Sequence, residues 1–195
     1  MSYLEFVGPP GSGKTTAALE LLASDHTLAP GRRSITGKNV SVRLNRFGLP
    51  TEGLFMWLRL TIGLPHDLAM AALFFRETGQ LRRSCIMLAL LIKARALAAS
   101  SQRWVIDQGL QQHILSALAD QCLSQERALK WKRLCLGAPW RPERLVTLSV
   151  GSDELIQRVK NSAKHMQQCA GNLPEKYVEK NYLAFEILFQ ERGTL

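Results

Sequence analysis

Cysteine is scarce in this chain of 195 residues: Cys85, Cys122, Cys135 and Cys169 are its whole complement. No two of them form a CxxC pair, and none stands at metal-ligand spacing to one of the four histidines. A disulfide scaffold and a structural zinc site are thereby disfavoured, which leaves reduced and mostly packed thiols. Long apolar runs are missing too. The stretch from Ser84 to Ile92 is stopped by Lys93 and Arg95, well short of the ~20 residues a membrane span needs. There is no repeat period, heptad run or low-complexity tract, so solenoids, coiled coils and disorder drop out. The N-terminus reaches Glu5 at once with neither the basic nor the apolar region of a secretory signal, so a soluble protein in the cytoplasm is expected.

Acid is also in short supply. The chain holds 25 Lys and Arg against 16 Asp and Glu, a formal charge of +9, and such a surplus attracts polyanions. It collects in two windows with no acid at all. His26 to Thr51 carries Arg32, Arg33, Lys38, Arg43 and Arg46, and Thr78 to Ile106 carries Arg82, Arg83, Lys93, Arg95 and Arg103. A phosphate pocket, a nucleic-acid surface and a solvated face account for these windows equally well. No helix-turn-helix or RNA-binding signature accompanies them, which ranks nucleic acid last.

Strand and helix patterns alternate. Tyr3 to Val7 reads as a strand that stops at Gly8-Pro9-Pro10-Gly11, and a helix opens near Lys14 with Ala17, Leu21 and Leu22 on one stripe. Gly37 to Leu44 is a weak second strand. Glu52–Ile62, Pro65–Glu77 and Gln80–Ala99 read as three strongly apolar helices forming an insert over about 52–99. Arg103–Ile106 is a short strand ending at Asp107. A helix from Leu110 to Ala119, another capped by Ser124, a strand Leu145–Val150, a helix capped by Ser152 and a last helix from Pro174 to Gln190 complete the chain. The Ser152 helix is expected to bury Leu155, Val159 and Met166. Strands separated by helices imply a parallel sheet covered on both faces. The expected architecture is a single α/β domain over 1–195: three αβα layers, a mostly parallel sheet of four to five strands, a helix-rich insert and a lid over about 153–173.

The strongest signal is Gly8-Pro9-Pro10-Gly11-Ser12-Gly13-Lys14-Thr15, a complete GxxxxGK[ST] between a predicted strand and a predicted helix. Glycines let the backbone amides turn inward and phosphate oxygens approach, which a Cβ would obstruct. Lys14 supplies a point charge for the β- and γ-phosphates, the Thr15 hydroxyl is a ligand for Mg²⁺, and the helix start through Thr16 adds its positive end. The expected ligand is therefore ATP or GTP with Mg²⁺. The base-reading NKxD of GTPases and the LSGGQ of transport ATPases are absent, and Asp107 is followed by Gln108 rather than the glutamate that many motors use to activate water. A switch and a motor are disfavoured.

With this loop, LFFRETGQLRR from Leu73 to Arg83, WVIDQG at Trp104 to Gly109, and LVTLSVGSDELIQRV from Leu145 to Val159, the chain resembles P-loop kinases of the nucleoside monophosphate kinase group, thymidylate kinases above all. The resemblance implies ATP-Mg²⁺ on the loop and an acceptor in the facing cleft. It implies that Asp107 stands near the metal and the attacked oxygen, that Arg158 is a phosphate-binding arginine of the lid, and that Arg76 grips the acceptor. Gln108 replaces an acceptor-binding arginine of the family. Ser162 replaces a second lid arginine, with Lys160 and Lys164 nearby. Arg43 or Arg46 stands in for its Arg-Glu-Pro segment, and no apolar strand follows the last helix. The catalytic set is then Lys14, Asp107 and Arg158, with Thr15 and Asp107 toward the metal. Arg43, Arg46, Arg76 and Gln108 hold a small anionic or polyhydroxylated acceptor. His113 and His165 are lone histidines, read as non-catalytic. The alternative is a nucleotide-binding accessory protein or regulatory ATPase whose apolar insert docks a second copy or a protein partner.

Overall fold

The computed structural model describes residues 3–30, 54–100, 103–162 and 173–190. The expected strand Gly37–Leu44, Arg43, Arg46, Lys164, His165, Met166 and most of the second half of the lid lie outside the described residues. Within them the chain is α/β and mostly helical. Strand β1 (Tyr3–Val7) leads into helix α1 (Lys14–Ser24), followed by β2 (Leu28–Pro30). Helices α2 (Leu54–Thr78) and α3 (Leu81–Ala99) precede β3 (Arg103–Ile106). Then come α4 (Leu110–Ala119), α5 (Gln125–Gly137), β4 (Arg144–Thr147), α6 (Ser152–Lys160) and α7 (Pro174–Phe189).

The strands lie in the order β2-β3-β1-β4 with every pairing parallel. Tyr3 sits opposite Trp104 and Leu4 opposite Arg144, so β1 is flanked on both sides and all five of its residues are buried. Its odd and even positions feed two different cores, as the two-residue period of a strand demands. Leu4 and Phe6 pack with Val105, Leu28 and Ala18 of α1 on one face. Tyr3 and Val7 join Trp104, Ile106 and a larger cluster from α2, α3, α4, α5 and α7 on the other. Helices thus cover both faces, one thinly and one deeply.

Three element boundaries differ from the sequence reading. The helices expected at Glu52–Ile62 and Pro65–Glu77 are one continuous α2, with Pro65 inside it. Proline removes one helical hydrogen bond, and that loss is offset where α2 packs on α3: Ala71 and Phe74 are buried, and the buried Asp67 takes two bonds from Arg95, at 3.1 and 2.6 Å. Gly63 makes room for this pair, since a Cβ there would stand 2.3 Å from Arg95 Nε. Strand β4 stops at Thr147 rather than Val150, apart from one more ladder bond from Leu148 N to Val7 O at 2.8 Å. Ser152 is the first residue of α6, with Gly151 as its cap. Ser124 does cap α5, its hydroxyl accepting from Arg127 N. Leu155 and Val159 are buried as expected. Four strands are present among the described residues. No described helix is long and apolar enough to cross a membrane.

Candidate functional site

The loop between β1 and α1 is built by its glycines. Gly11 and Gly13 have φ of 81° and 86°, the left-handed region that a side chain disfavours. Gly8 is needed for a different reason, because a Cβ there would sit 2.3 Å from the Leu148 carbonyl oxygen. Lys14 curls back over the loop, its Nζ donating to Gly8 O at 2.7 Å and Pro9 O at 2.8 Å. Gly8, Pro9 and Ser12 are buried beneath the surface, while Pro10, Gly11, Gly13, Lys14, Thr15 and Thr16 face a cavity of about 640 Å³.

Adjacent parallel strands deliver the rest. The loop after β3 lies beside the loop after β1, so Asp107, almost fully buried, accepts a 2.9 Å hydrogen bond from Thr15 Oγ1. Arg158 reaches across from α6, donating to Gly11 O at 3.2 Å and to Glu154 at 2.6 Å. Lys14, Thr15, Asp107, Gln108 and Arg158 therefore share one cavity. Ile86 and Leu90 of α3 form an apolar wall; α4 contributes Gln112, His113 and Ser116, and α7 contributes Tyr177 and Asn181.

Arg76 does not join them. It is exposed in the last turn of α2 and is absent from the cavity lining, so the acceptor clamp expected from it is not formed. The cause is helical phase: Phe74 is the buried residue, and a position two further along lies about 200° round the helix, on the opposite side. Arg43 and Arg46 lie outside the described residues.

Sequence reasoning missed the support under this site. Glu5 of β1 is fully buried and its Oε1 accepts from Gln111 N at 2.7 Å and Gln112 N at 3.3 Å. The carboxylate therefore caps the N-terminus of α4, where free amides and the helix dipole favour negative charge. Burial nevertheless raises its pKa to about 7, against the two amide bonds that lower it. Gly109 completes the fit, since a Cβ would lie 2.5 Å from Glu5 Cδ. Gln112, held by this cap, accepts at Oε1 from Gly8 N at 3.1 Å. The available signal was the single acid in the otherwise apolar YLEFV. His113, on α4, is buried as well. Burial lowers its pKa to about 4, against the opposing bond between Nε2 and the Arg83 carbonyl at 2.9 Å, and the ring is neutral.

No protein-family model and no curated protein matches this chain.

Proposed function

We propose that this protein is a P-loop phosphotransferase of the kinase type, which moves the terminal phosphoryl group of ATP or GTP to a small acceptor held in the cavity. The observation that carries the reading is the Thr15–Asp107 hydrogen bond beside Lys14, at the floor of a cavity that extends to α4 and α7. Thr15 and Asp107 offer oxygen donors of the hydroxyl and carboxylate type, which suits Mg²⁺, a hard cation that retains water and shares phosphate oxygens. When bound there, Mg²⁺ neutralises charge on the phosphates.

Phosphoryl transfer asks for positioning and charge neutralisation more than for covalent help. Lys14 exchanges its two loop carbonyls for phosphate oxygens. Arg158, resting on Gly11, is placed to meet charge that builds on the transferred group. Asp107 accepts the proton of the acceptor hydroxyl as its oxygen bonds to phosphorus, while the bond to the β–γ bridging oxygen breaks and its electron pair leaves with the nucleoside diphosphate. Calorimetry with Mg-ATP and transfer of a labelled terminal phosphate test the reading. Wild-type protein should bind and transfer, and Lys14→Ala should do neither. Undiminished affinity in Lys14→Ala would remove the loop from the mechanism.

A nucleotide-dependent docking protein is the second reading. Leu64, Leu68 and Phe75 are exposed along one stripe of α2, a surface suited to a protein partner. Nucleotide binding without transfer, together with a nucleotide-dependent complex through α2, is the result that would favour it.

A further inference from the structure

The backbone partners of the cavity's polar side chains fix which of their atoms remain for a ligand. His113 Nε2 lies 2.9 Å from the Arg83 carbonyl oxygen. A carbonyl only accepts, so the proton is on Nε2, and Nδ1 of the neutral ring is an acceptor. Asn181 Nδ2 donates to Tyr177 O at 2.8 Å, which leaves Oδ1 as an acceptor. Ser116 Oγ spends its proton on Gln112 O at 3.0 Å and keeps its lone pairs. Gln112 is the converse: its Oε1 is engaged by Gly8 N, and its Nε2 is a donor. The α4 and α7 walls thus present three acceptors from His113, Ser116 and Asn181 against donors from the Gln112 and Asn181 amides. The cations lining the cavity among the described residues are Lys14 and Arg158, and both rest on the glycine-rich loop, at the nucleotide's end.

Such a lining discriminates. A phosphate or carboxylate group is acceptor-only near neutral pH and would meet the three acceptors of these walls with no cation beside them among the described lining residues, whereas an alcohol both donates and accepts. An ammonium group would donate but would find no carboxylate beyond Asp107 in the described lining, and a desolvated charge without a partner is costly. Ile86 and Leu90 offer an apolar wall, suited to the C–H face of a ring. Resting on the phosphotransferase reading above, we infer that the phosphoryl acceptor is a neutral, polyhydroxylated molecule of the sugar, polyol or nucleoside class, oriented by His113, Ser116 and Asn181 through its hydroxyl protons.

The decisive measurement is transfer of labelled phosphate from Mg-ATP to a panel of neutral sugars, polyols and nucleosides, the phosphorylated form of each and the amino form of each, with Mg-ATP binding measured separately by calorimetry. A neutral member should be preferred in kcat/KM by tenfold or more over its charged counterparts, the order of one well-placed polar contact. Ser116→Ala should then raise the KM for that acceptor about five- to tenfold, with a smaller effect on kcat, and leave the melting temperature and Mg-ATP affinity near wild type. Ser116→Lys should shift preference toward the phosphorylated form. Preferred transfer to a phosphorylated or amino acceptor, or an unchanged KM in Ser116→Ala, overturns the acceptor class while the phosphotransferase reading stands. Tight Mg-ATP binding with no transfer to any member of the panel overturns both.

Discussion

Thr15 Oγ1 and Asp107 Oδ2 are joined by a 2.9 Å hydrogen bond across 92 positions of sequence. The pair exists because β1 and β3 are parallel neighbours with Glu5 opposite Ile106, which brings the loops at their C-terminal ends side by side. Ligand sites of parallel α/β sheets form at this edge.

That bond leads to the first prediction. Asp107→Asn retains an oxygen to accept from Thr15 but loses the charge and the basicity. Turnover should fall by roughly a hundredfold or more, the usual worth of a positioned base, while nucleotide affinity changes little. Steady-state kinetics paired with calorimetry check this, and wild-type kcat in Asp107→Asn would take Asp107 out of the chemistry.

Gly109→Ala should destabilise the fold without touching the loop chemistry directly. The new methyl would meet Glu5 Cδ at 2.5 Å, and Glu5 has little room to yield because it is buried and bonded to two amides. Overpacking of this kind costs about 2 kcal/mol, or a fall in Tm of roughly 4 to 8 °C for a chain of this size. Combining it with Glu5→Ala should cost less than the two single changes added together, because the clash disappears. Additive losses in thermal melts would show that the two residues do not press on one another.

Glu5 should also make stability depend on pH in an unusual direction. Its pKa is about 7 in the folded state against an ordinary 4.5, so the native protein holds this proton more tightly than the unfolded chain. Its contribution is full below about pH 4.5 and is lost as pH rises through about 7, on the order of 3 kcal/mol in total. His113, lowered to about 4 from 6.5, acts oppositely, its contribution being lost as pH falls below about 6.5. The effect of Glu5 is therefore isolated by the difference between wild type and Glu5→Gln. In urea melts at about pH 5 and about pH 8, Glu5→Gln should gain relative to wild type at the higher pH. A constant difference between the two proteins would mean that Glu5 is ionised throughout.

The α2–α3 pair rests on Asp67, whose side chain is 1% exposed, and Arg95. Arg95→Met would strip the buried carboxylate of its main cation, leaving His66 Nδ1 at 3.5 Å. Removing one partner of a buried pair costs about 3 to 5 kcal/mol. Arg95→Met combined with Asp67→Leu should recover much of the loss, since no unpaired charge is then buried. A melting temperature in Arg95→Met equal to wild type would show that α2 is held by its apolar contacts alone.

Much of this was legible from local pattern. Tyr3–Val7, α4, α5 with its Ser124 cap and α7 follow from hydrophobic period and capping residues, because each is decided by neighbours a few positions away. Continuity of α2 through Pro65 was not legible, since propensity counts the lost hydrogen bond but not the Asp67–Arg95 pair that holds the helix on α3. The face occupied by Arg76 was equally hidden: a motif records spacing along the chain, whereas the phase of a helix is set by which residue, here Phe74, the core takes in.

By itself the sequence determined the glycine-rich loop, because Gly11 and Gly13 must adopt a backbone that other residues resist and Lys14 must follow at once. It also determined the alternation of strands and helices, which is a matter of period. Only the tertiary structure decided that Asp107 and Arg158 meet this loop while Arg76 does not. It alone decided that Glu5 caps α4 from below and that His113 Nε2 pairs with the Arg83 carbonyl. These outcomes depend on strand order, helix phase and contacts between residues far apart along the chain, and such long-range terms are not written in any short stretch of it.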